Sequence, residues 1–138
     1  MASLRKEIII NATPAYAWAA LADWGGVHTR LAKGFVVDTK VDGEDRIVTF
    51  FNDDVVRERF VDRDDQARRL VWAVSDGQMG LEHYNGSAQV IDEGNGQTRF
   101  VWTTDLLPHE MAPAIGQLME RGIAAVKTTL EAGTSPVT

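Results

Sequence analysis

The chain has 138 residues, 44% apolar and 25% charged, an ordinary globular composition and enough length to bury a core without covalent staples. It contains no cysteine, which excludes disulfides, zinc–thiolate centres and thiol catalysis and fits a cytoplasmic, reducing compartment. With 14 basic against 20 acidic residues the formal charge is −6, so no nucleic-acid partner is expected.

The densest basic stretch, residues 57–69, is interleaved with Glu58, Asp62, Asp64 and Asp65 and reads as a solvated strand face and turn. The N-terminal MASLRKEIII has two cations but then only three consecutive large apolar residues, too few for a secretory signal. No apolar run approaches the roughly 20 residues that span a membrane, so no membrane insertion is expected. No repeat, low-complexity tract or linker divides the sequence, and residues 1–138 read as one domain.

Residues 3–12 are isoleucine-rich and alternate imperfectly, a first strand. Thr13-Pro14 opens a helix over residues 15–22: Thr13 suits the cap, and Pro14 suits the first turn, where its missing N–H has no role. Asp23 is positioned to cap a second short helix, which Gly34 ends. From residue 35 the period changes to two. Strands are predicted over residues 35–41, 46–51, 55–62, 69–75, 81–92 and 97–106, separated by turn signals such as Asp42-Gly43, Asn52-Asp53-Asp54 and Gly94-Asn95-Gly96. After Pro108 the period becomes 3.6, with Met111, Ile115, Leu118, Met119, Gly122, Val126 and Leu130 on one stripe. Gly133 stops this helix, and residues 134–138 read as a frayed tail.

One strand, two short helices, about six further strands and one long helix make an α+β domain, with an antiparallel sheet curled around the C-terminal helix. A single helix cannot fill the concave face of a curled sheet, and the remaining cavity is the default ligand site. Alternation puts Val56, Glu58 and Phe60 on that face, together with Trp72, and with Phe100, Trp102 and Thr104. Ile115, Leu118, Met119, Gly122 and Val126 face the sheet from the helix, with Met111 and Met119 as adaptable wall residues. A glycine inside a helix costs about 1 kcal/mol, so Gly122 marks a close approach or space for a ligand. No histidine or arginine is assigned to the concave face. His28, His83 and His109 lack metal-ligand spacing, and neither metal nor cofactor is expected. Ser75, Ser87 and Ser135 sit in no nucleophile elbow.

Five stretches, in this order and spacing, give the chain its resemblance to a known superfamily: INATPAYAWAALADW (residues 10–24), VVRERFVDRDDQARRLVWAV (55–74), EHYNGSAQV (82–90), TRFVWTTDLLP (98–108) and the helix over 110–132. Together they resemble the START-like, or SRPBCC, proteins of helix-grip fold, which include polyketide cyclase/dehydrase-like and birch-pollen-allergen-like proteins. The resemblance implies that Glu58 and Tyr84 face the cavity, that the loop DGQMG ending at Gly80 closes over its mouth, and that the protein is a monomer or homodimer. Gly86 and Ala88 beside Tyr84 would leave room there.

Three functions compete. The first is binding of a small hydrophobic molecule, aromatic or polyketide-like, by Glu58, Trp72, Tyr84, Phe100, Trp102, Thr104 and the helix stripe. The second is a cyclase, aromatase or dehydratase using Glu58 and Tyr84 as acid/base groups. The third is a protein-interaction module with an incidental cavity.

Overall fold

The computed structural model describes residues 1–74 and 78–133. The expectations resting on Ser75, Asp76, Gly77 and residues 134–138 lie outside that range. Seven strands form one antiparallel sheet: β1 (Ala2–Ile10), β2 (Val36–Asp42), β3 (Asp45–Phe50), β4 (Val55–Asp64), β5 (Arg69–Val74), β6 (His83–Gly94) and β7 (Gln97–Leu107). Their spatial order is β1-β7-β6-β5-β4-β3-β2, so β2 to β7 are a meander and β1 returns to pair with β7. Register shifts at Val36/Asp38, Phe60/Asp62 and Asp92/Gly94 mark bulges, which bend strands and increase twist.

Helix α1 (Pro14–Ala22) begins as its sequence dictates. Thr13 Oγ1 accepts the Tyr16 N–H at 3.2 Å, and Pro14 occupies the first turn. The predicted second helix is different. Asp23 does not cap one; its carboxylate accepts from Arg30 Nη1 at 3.0 Å, across a bend. Gly26 then leads into one π-helical turn, Val27–Leu31. Gly34, at φ +87°, provides the left-handed exit that only glycine adopts readily.

The long helix α2 (Ala112–Gly133) buries Ile115, Met119, Gly122, Ile123, Val126 and Leu130. These positions lie on one face at spacings of three and four. Ile123, outside the predicted stripe, belongs to this face. A main core gathers α1, the π-helical turn and the middle of the sheet around Ile10, Trp18, Val48, Leu70, Phe100 and Leu130. A smaller cluster, with Ala2, Leu81, Leu106, Ile115 and Met119, closes the end where α2 begins.

Candidate functional site

Between the concave face and α2 the core leaves a cavity of about 110 Å³. Trp72, Ala88, Phe100 and Trp102 line it from the sheet. Phe35 and Leu31 close one flank, and Ile115, Leu118, Met119, Gly122 and Val126 form the helix wall. Toward solvent it is bounded by exposed Asn52 and Asp54 on the β3–β4 turn and by half-buried Phe50, Val74, Met79 and Leu118. Glu58 and Tyr84 line it as the resemblance implies.

Two of the expected wall residues are elsewhere. Thr104 is fully buried behind Tyr84 and does not reach the cavity; its hydroxyl donates to the Tyr84 oxygen at 3.2 Å. Met111 packs on the smaller core cluster instead. His83 and His109 are exposed, and His28 does not line the cavity. Among the described residues, no cluster of histidine and carboxylate side chains could hold a metal.

Both cavity glycines mark close approaches. A Cβ on Gly86 would lie 2.7 Å from Trp72 Cε2, so the space beside Tyr84 is taken by the Trp72 indole lying on β6. A Cβ on Gly122 would lie 2.7 Å from Trp102 Cζ3 and 2.9 Å from Phe35 Cε2. Here the helix approaches the aromatic wall directly.

The concave face does carry an arginine. Arg46 on β3 stands opposite Glu58 on β4, and its Nε donates to Glu58 Oε1 at 2.8 Å. Both side chains are buried, 5% and 10% exposed. The guanidinium also stacks 3.8 Å from the Trp24 ring centroid, and Nη1 donates to the Trp24 carbonyl at 3.3 Å. Burying a carboxylate is tolerable only with such a partner. A signal for this pair was present in the sequence: Arg46 and Glu58 are equidistant from Asn52, the centre of the β3–β4 turn, so hairpin register makes them face each other.

Tyr84 is held in its neutral form. Burial raises its pKa most. The Thr104 hydroxyl opposes that shift, and the negative charge of Glu58 adds to it. The Trp102 indole N–H is near enough to favour the phenolate slightly, without the geometry of a hydrogen bond. That N–H is buried and has no acceptor among the described residues. A buried donor left unpaired costs about 1–3 kcal/mol, an expense a protein retains where a ligand or water relieves it.

Near Gly80 the structure adds a feature the alternation pattern did not reveal. The Gln78 side chain accepts the Arg57 N–H at 2.6 Å and donates to the Arg57 carbonyl at 3.1 Å. The β4–β5 pairing ends at Glu58–Val74, so an amide side chain takes the place of a strand beside Arg57. It fixes the segment that carries Met79 to the cavity's edge.

A curved seven-stranded antiparallel sheet gripping a C-terminal helix, with a mostly apolar cavity between them, defines the helix-grip class. The chain belongs to the polyketide cyclase / dehydrase and lipid transport family, whose sequence profile matches residues 1–131.

Solved structures agree on the fold. The protein XoxI from Bacillus cereus is 16% identical with a TM-score of 0.84, over 94% of this chain and 96% of that one. Norcoclaurine synthase from Thalictrum flavum, solved with dopamine and hydroxybenzaldehyde, is 16% identical with a TM-score of 0.73, over 98% and 89%. The Zhui aromatase/cyclase from Streptomyces sp. R1128 is 14% identical with a TM-score of 0.72, over 96% and 92%. At these identities the likeness is one of fold alone. Among proteins of curated function, none matches the sequence. No helix among the described residues is long and apolar enough to cross a membrane.

Proposed function

We propose that the protein binds a small, mostly hydrophobic molecule, about one ring in size, in the sheet–helix cavity. Glu58 and Tyr84 are its polar anchors, with Trp72, Phe100, Trp102 and the α2 residues as walls. The observation that carries this reading is the mostly apolar cavity of about 110 Å³, whose lining includes Trp102 with its unaccepted N–H. An apolar cavity of roughly 150 Å³ accommodates benzene, which sets the scale. The family's lipid-transport members and the ring-forming names of two structural relatives agree with such a ligand.

A fragment screen by ligand-observed NMR tests the proposal, followed by calorimetry on a hit that carries a hydroxyl. Glu58→Gln should weaken that hit by more than about tenfold. Unchanged affinity would remove Glu58 from the site.

One observation favours a second reading, catalysis on a carbonyl substrate. A carboxylate and a tyrosine held neutral lie close enough to influence each other, as a base and an acid would. Turnover of a poly-β-ketone analogue that falls in kcat with both Glu58→Gln and Tyr84→Phe would support it. Binding without turnover leaves the first reading.

A further inference from the structure

We infer that the cavity selects a neutral ligand that presents a carbonyl oxygen to Tyr84 and Trp102 together. This rests on the ligand-binding reading above and gives it a chemistry.

The argument begins with proton counting. An indole N–H only donates, and that of Trp102 is buried without an acceptor among the described residues. The Tyr84 oxygen already takes the Thr104 proton, so its own proton is directed elsewhere, and Tyr84 lines the cavity. Register brings the two donors together. Trp102 pairs with Ala88 and Thr104 with Gly86, while Tyr84 is the next inward residue of β6. Gly86 puts no side chain between them. Two donors aimed at one place call for an acceptor with two lone pairs, which a ketone, ester or amide oxygen supplies.

Charge then selects against an anion. Glu58 is close enough to act on Tyr84 electrostatically, and its carboxylate would repel a second one. Arg46 does not offset this for a ligand, because its Nε is taken by Glu58 and its Nη1 by the Trp24 carbonyl.

The test uses cyclohexanone, methylenecyclohexane and benzoate, with affinities measured by NMR titration on the native protein, Tyr84→Phe and Trp102→Phe. The two rings match in shape and differ in the acceptor, so hydrophobic transfer alone favours the alkene in every variant. The informative quantity is how the ketone-to-alkene affinity ratio changes between variants. It should fall about tenfold in Tyr84→Phe and by a similar factor in Trp102→Phe. The infrared carbonyl stretch of the bound ketone should move to lower wavenumber in the native protein and return toward its free value in both variants. An unchanged ratio, or benzoate binding more tightly than cyclohexanone, overturns this inference; if the alkene still binds, the cavity reading stands. If none of the three binds, both fall.

Discussion

Removing either partner of the Arg46–Glu58 pair strands a charge in the interior. Glu58→Leu or Arg46→Leu should each destabilise the fold by about 3–5 kcal/mol, read from urea midpoints, whereas the double substitution should recover most of that loss. If the two single losses simply add, the pair is not coupled. The cavity glycines make a second prediction. Gly122→Ala gains up to about 1 kcal/mol of helix propensity. Its Cβ would lie 2.7 Å from Trp102, however, and overpacking typically costs about 1–3 kcal/mol. A net loss of stability is expected, with a smaller cavity. Gly86→Ala meets Trp72 at the same separation and should behave alike. Increased stability in either variant would mean that the aromatic wall yields easily.

Among the elements, the segment that carries Met79 depends on Gln78. Gln78→Ala leaves the Arg57 N–H without its side-chain acceptor, so amide exchange at Arg57 should accelerate while the centre of β5 stays protected. Unchanged exchange at Arg57 would mean that Gln78 does not hold this segment. Most elements were legible in the sequence because each sheet face and the helix stripe carry a strong period. Alternation set Glu58, Trp72, Phe100 and Trp102 on the concave face, and the structure has them at the cavity. What periodicity could not convey is what lies between a side chain and the cavity. Thr104 has the right parity but stands behind Tyr84, and the space beside Gly86 is filled by an indole from the neighbouring strand. Arg46 was missed for another reason: parity within one strand does not identify a partner, whereas register counted across the hairpin turn does. The segment after Asp23 was misread because its side chain pairs with Arg30 instead of capping a helix.

For the molecule as a whole, titration should narrow the stable range from both sides. Glu131, bonded first to the Asn11 N–H and then to Lys127, ties α2 to the end of β1 and has a lowered pKa. Glu93 beside Arg99, and Asp65 beside Arg63 and the Trp18 N–H, are lowered as well. Carboxylates with depressed folded values lend stability above the ordinary range near 4 and lose it as the pH falls through the folded values. Melting temperature should therefore decline in acid.

Tyr84 acts at the other end. Its raised folded value means that the native state keeps a proton that the unfolded chain releases, so stability falls as the pH rises through about 10. Tyr84→Phe should flatten that alkaline decline; an equally steep decline would show that other groups cause it.

The central claim, a ligand cavity gripped between sheet and helix, is tested most directly by the indole N–H resonances of the four tryptophans during a cyclohexanone titration. The Trp102 resonance should move farthest and downfield as its N–H gains an acceptor. Trp72, on the same wall, should move less, and Trp18, bonded to Asp65 at 3.1 Å, should stay in place. A titration that left Trp102 and Trp72 unmoved, or shifted only Trp18, would contradict the account.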